Sequence, residues 1–105
     1  AAVSSSATGR EVDAAARCYI ASKGWGDCFT HSTGHGIGLE LHELPVVSRL
    51  NGEKLPAGAV VTIEPGIYSE GLGGVRIEDD VIVHPDGAEV ITGASPTELR
   101  VLCPA

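Results

Sequence analysis

The chain has 105 residues, 43% of them hydrophobic and 20% charged, a balance that suits one globular unit with its own core. Seven Lys and Arg stand against 14 Asp and Glu, and the formal charge of -7 repels phosphate backbones and anionic lipid surfaces, so neither nucleic acid nor a membrane is an expected partner. Cys18, Cys28 and Cys103 form no C-x-x-C pair, and the opening AAVSSSATG has neither the basic stretch nor the apolar core of a signal peptide, so the chain reads as soluble and cytoplasmic.

Thr8 and Glu11 have the spacing of a capping box, in which a hydroxyl and a carboxylate satisfy the free amides of a helix start, and this predicts a helix over residues 10–23. Val12, Ala16, Tyr19 and Ile20 fall on one stripe of that helix, expected to pack on a sheet, and Gly24 can take the left-handed conformation that ends it. Residues 29–42 read FTHSTGHGIGLELH, with glycines at 34, 36 and 38. Such a density costs backbone entropy and implies a tight bend or a close approach. The prolines and Asn51-Gly52 within residues 43–58 predict an irregular connection. Residues 59–64 and 75–84 are β-branched runs, and Pro85-Asp86-Gly87 predicts a turn into a third short strand, 89–92. The expected fold class is α+β, a helix in front of mainly antiparallel strands.

Three of the four histidines, His31, His35 and His42, lie within twelve residues beside those glycines, where there is little side-chain packing for them to serve. Singly, each reads more often as a hydrogen-bonded structural residue than as a ligand, and it is the cluster that makes a site an equal reading. Strict alternation puts His35 and His42 on opposite faces, so they converge only if the glycines bend the backbone. His42-Glu43 does not start a zinc helix of the H-E-x-x-H type, since Pro45 and Val46 follow. The glycines do not have the G-x-G-x-x-G spacing of a nucleotide loop. Glu64, in VVTIEPG, and Glu78, in GVRIEDD, lie in apolar strands, an unnatural place for a surface acid. Alternation puts Arg76 on the face of Glu78, where a salt bridge is an equal reading. Divalent cations of hard or borderline character take carboxylates with one or two imidazoles, the inventory that His35, Glu64 and Glu78 offer.

Together, HSTGHGIGLELHELP, TIEPGIY and GVRIEDDVIV, in this order across residues 28–92, resemble the C-terminal half of the catalytic domain in the pita-bread metallopeptidases, the family of methionine aminopeptidase, aminopeptidase P and prolidase. The resemblance implies a helix packed on a mainly antiparallel sheet in the pita-bread (creatinase/aminopeptidase) fold. It also implies metal ligands at His35, Glu64 and Glu78. Glu64 then exchanges protons with the attacking water, Glu78 bridges two metals, and His42 hydrogen-bonds the scissile carbonyl. His31 and Arg76 match positions of the proline-specific branch, which implies a peptide substrate with proline at its second position. Two divalent metals are implied, Mn2+ foremost, with Co2+ or Zn2+ as alternatives suited to the same ligands.

The departure from the family is one of extent. Its two further ligands are aspartates from the earlier half of the domain, and neither Asp13 nor Asp27 matches their motif. Residues 1–105 are therefore expected to be a partial catalytic domain whose partner is the missing N-terminal half. Alone, the chain is expected to hold at most one metal weakly and to be inactive. A homo-oligomer of the parent protein is compatible with the resemblance. The rival reading is a catalytically silent pita-bread module that binds peptides or proteins.

Overall fold

In the computed structural model, which describes residues 2–103, Thr8 opens helix α1 (Gly9–Ser22) as a capping box requires. The Glu11 amide donates to the Thr8 hydroxyl at 3.2 Å, and the Thr8 amide donates back to the Glu11 carboxylate at 2.8 Å. The Thr8 amide and hydroxyl, both donating to that carboxylate at 2.8 Å, hold the Glu11 carboxyl below its ordinary value. Past the other end, Gly24 has φ 85°, and the amides of Gly24 and Trp25 close on the carbonyls of Ala21 and Ile20. That is the Schellman pattern, which satisfies carbonyls left free by the last turn. The expected apolar stripe is corrected at one position: Tyr19 is 66% exposed, and the buried face of α1 is Gly9, Val12 and Asp13. Asp13 is turned inward by the partners described below, which no hydrophobic periodicity could indicate.

Seven strands follow: β1 (Gly34–Gly36), β2 (Glu43–Val47), β3 (Val60–Ile63), β4 (Gly66–Ser69), β5 (Gly73–Arg76), β6 (Asp79–His84) and β7 (Gly87–Val90). Five form one antiparallel sheet in the order β2-β1-β3-β6-β7, and β4 and β5 form a separate hairpin. A turn joins β6 to β7 where expected, but it is Pro85-Asp86 alone: Gly87 pairs with His84, and β7 covers Gly87–Val90 where 89–92 was expected. Val12 of α1 packs with Val47, Leu55, Val61, Val81 and Val83 in the core. Each such side chain contributes roughly 1.5–3 kcal/mol on burial.

Two further strand assignments are corrected. Residues 43–47 are a strand and not irregular chain, because β2 is an edge strand and its register slips opposite His35 and Gly36. Leu44 and Pro45 fall in that slip, so the missing proline N–H breaks no ladder. Residues 75–84 are not one strand. β5 ends at Arg76 in the hairpin and β6 starts at Asp79 in the main sheet. Both β3 and the returning chain cross between sheets at one level, where the Ile77 amide reaches the Pro65 carbonyl at 3.4 Å.

Candidate metal centre

That crossing places the two carboxylates. Ile63 pairs with Asp79 as the last rung of β3 and β6, so Glu64 and Glu78 leave the ladder side by side. The expectation that both are shielded strand acids is corrected for Glu78: the Glu64 side chain is 13% exposed, whereas Glu78, between β5 and β6, is a surface acid at 39%. His35 comes from the adjacent strand β1, with its Nε2 3.1 Å from Glu64 Oε1. Its Nδ1 lies 2.9 Å from the Gly36 carbonyl oxygen, which can only accept, so Nδ1 carries a proton. In the neutral ring the lone pair of Nε2 then faces a carboxylate oxygen. A cation between them, a proton or a metal, makes that contact attractive. Two ligand atoms on a first-row divalent ion stand ~3.0–3.4 Å apart, so the pair fits one such ion.

His42 lies immediately before β2, and its ring centroid is 4.3 Å from that of His35. The two histidines therefore converge, and the glycines are the means. A Cβ on Gly36 would run into the Leu44 carbonyl, and one on Gly38 into the Glu43 carboxylate. At Gly36, which meets backbone, only a bare Cα lets the chain fold back so tightly, whereas the Glu43 side chain opposite Gly38 could move aside. Arg76 spans the acids, with Nε 3.5 Å from Glu64 Oε2 and a terminal nitrogen 3.5 Å from Glu78 Oε2. His31 sits at the mouth: Nδ1 donates to the Ser32 carbonyl at 2.7 Å, and Nε2 accepts from the Tyr68 hydroxyl at 3.1 Å. Sequence reasoning missed Tyr68. Its place four residues after Glu64 was the available signal.

His31, His35, His42, Glu64 and Arg76 line one open cavity of about 370 Å3, with Glu78 beyond Arg76. A larger groove of about 620 Å3 passes Leu44, Pro45, Leu50 and Pro56 and holds none of the histidines. Among the described residues no three His, Cys, Asp or Glu side chains converge to hold a metal ion. His35 and Glu64 meet directly, whereas Glu78 joins them through Arg76.

Helix α1 braces this corner through Asp13, which is 1% exposed. The Arg17 guanidinium donates to both carboxylate oxygens at 2.8 and 3.0 Å, and Thr33 donates its amide at 3.2 Å and its hydroxyl at 2.9 Å. Burial pushes the Asp13 carboxyl up, but these bonds and the Arg17 charge outweigh it and hold the group below its ordinary value. Arg17 also donates to the carbonyls of Phe29 and His31, and the Thr33 carbonyl accepts from the Glu64 amide at 2.7 Å. Asp13 is thus committed to structure, and Asp27 lies in the 3-10 turn Gly26–Cys28.

Comparison with known proteins follows the same segments. Residues 1–85 match metallopeptidase family M24. The chain is 52% identical over 85 residues to an Xaa-Pro dipeptidase of Pyrococcus furiosus, covering 81% of this chain and 24% of that protein. A structure of an Xaa-Pro dipeptidase from Bacillus anthracis superposes with a TM-score of 0.87 at 59% identity, over 90% of this chain and 26% of that one. An X-prolyl aminopeptidase from Caenorhabditis elegans, described as a cytosolic enzyme with a di-nuclear active site, superposes with a TM-score of 0.60 at 38% identity, over 70% of this chain and 12% of that one. The chain spans about a quarter of the length of the first two relatives. The expected pita-bread arrangement, one helix on a mainly antiparallel sheet, is what it shares with the prolidase structures.

Proposed function

The chain belongs to metallopeptidase family M24, and on that premise we propose that it contributes His35, Glu64 and Glu78 as metal ligands to an enzyme that hydrolyses the bond between an N-terminal residue and proline. The observation that carries the reading is the 3.1 Å approach of His35 Nε2 to Glu64 Oε1, with the His35 tautomer fixed by Gly36. The Xaa-Pro dipeptidases among its relatives support the substrate class. When bound, two divalent cations would acidify the attacking water and offset charge on the carbonyl oxygen, and Mn2+, Co2+ or Zn2+ suits the ligand types.

Glu64 takes the proton of that water and passes it to the proline nitrogen as the C–N bond breaks. His42, held against His35, hydrogen-bonds the scissile carbonyl oxygen. His31 and Arg76, on the rim of the cavity, orient the proline side of the substrate. The second metal needs two aspartates from outside these 105 residues, so the chain alone binds at most one metal weakly and turns over nothing. In support, the apolar side chains of Leu44, Val75 and Ile77 are exposed, as a surface covered by another part of the enzyme would be. A cytoplasmic location accords with the cytosolic relative, and no helix among the described residues is long and apolar enough to cross a membrane.

The test is to load the complete protein with Mn2+ and offer it X-Pro dipeptides and longer X-Pro peptides. Cleavage that chelation abolishes is the expected result. A well-folded, metal-loaded protein that cleaves neither sinks the proposal. Stoichiometric metal uptake in a titration separates it from a peptide-binding module, which takes up none.

A further inference from the structure

Thr62 is 1% exposed on β3, one residue from Val61 in the core and two from Glu64. A valine would fill the same space and cost less to bury, since a hydroxyl withdrawn from water must recover its hydrogen bonds. Both bonds of this hydroxyl go to the candidate ligands. The His35 amide donates to Thr62 Oγ1 at 3.1 Å, and Oγ1 donates its one proton to Glu64 Oε1 at 2.9 Å. The order is forced, because the amide can only donate and the hydroxyl proton is left for the carboxylate.

We infer that Thr62 is a positioning residue that sets the His35–Glu64 pair as one unit, tying the backbone of one ligand to the carboxylate oxygen of the other. This rests on the metal-centre reading above. Oε1 accepts the Thr62 proton on one side and faces His35 Nε2 on another, while Oε2 faces Arg76. Without the hydroxyl the carboxylate can turn about its last torsion, and the Nε2 to Oε1 spacing is no longer fixed. The close approach of β1 to β3 at this point depends on Gly34, since a Cβ there would run into the backbone carbonyl of residue 62. Outer partners that orient a ligand typically change metal affinity by about 10–100-fold.

The test compares Thr62→Val with Thr62→Ser in the complete protein, using Mn2+ titration of the metal-free form and the visible absorption of the Co2+ form. T62V should bind Mn2+ about 10–100-fold more weakly and shift the Co2+ spectrum. T62S, which keeps the hydroxyl, should stay within about threefold of wild type in affinity, although both variants should melt earlier when metal-free, T62V for the unpaired His35 amide and T62S for the lost buried methyl. Wild-type affinity in T62V overturns the inference alone. Equal loss of metal affinity in both variants assigns Thr62 to packing and also overturns it. A wild-type protein that takes up no metal removes the metal-centre reading and this inference with it.

Discussion

The two faces of β3 obey different rules. Val61 points into a cluster of Val12, Val47, Leu55, Val81 and Val83, where what matters is volume and apolar area. Thr62, one residue on, presents a hydroxyl that binds named atoms of His35 and Glu64. On the first face a substitution is felt as stability wherever it falls. On the second, substitutions of nearly equal shape differ in chemistry. Stability and metal chemistry should therefore separate along a single strand.

The largest expected effect lies on the polar face. Glu64→Gln keeps the shape and can still accept from Thr62, but it is a poor proton acceptor. In the complete Mn2+-loaded protein kcat should fall by about 10²–10⁴-fold, with little change in the urea midpoint of the metal-free form. Activity within tenfold of wild type would erase the contrast.

Asp13 tests whether the brace behaves like core or like site. Asp13→Asn leaves Arg17 facing a neutral amide and should cost about 3 kcal/mol in urea unfolding, toward the low end for a broken buried pair because the guanidinium keeps access to water. The Asp13 carboxyl is held below its ordinary value in the fold. Its contribution is thus fully present above the unfolded carboxylate value of about 4 and is lost as pH falls through the depressed folded value. The difference between wild type and D13N should narrow on acidification below about pH 4, and a constant difference down to pH 2 would contradict the ion pair.

Val61→Ala, on the apolar face, should destabilise by about 2–3 kcal/mol and leave the activity of the folded, metal-loaded fraction unchanged. A loss of metal affinity there would show that the faces are coupled. Thr8→Ala, remote from both, removes a cap for about 1 kcal/mol and should alter neither metal affinity nor kcat.

What could be read from the sequence was local. The Thr8 and Glu11 box and the Gly24 stop depend on neighbours within a turn, and the structure reproduces both. The glycines around His35 correctly demanded a fold-back, since their spacing has no packing purpose. Residues 75–84 looked like one strand because their composition is uniform, whereas they divide between two sheets because Gly73–Arg76 pairs with β4 and Asp79–His84 with β3. Tyr19 looked buried because hydrophobic periodicity cannot weigh a paired Asp13. The candidate ligands were recognisable by type, but a threonine in a strand is ordinary, and nothing local distinguished Thr62. The direct meeting of His35 with Glu64 required the register of three strands, whereas the contact of Arg76 with Glu78 was open to a local reading from strand alternation.

The β4–β5 hairpin leaves the main sheet beside Glu64 and returns beside Glu78, with Gly66 paired to Arg76 at its base. It is a closed excursion: whatever happens at its tip, around Gly71 and the exposed Leu72, the chain comes back to the same point. Lengthening the tip should therefore leave the two carboxylates side by side, whereas adding a residue at Ile77 would separate them. Variation in length, whether natural or introduced as a tag or reporter, has an admissible address about one hairpin's length from the chemistry.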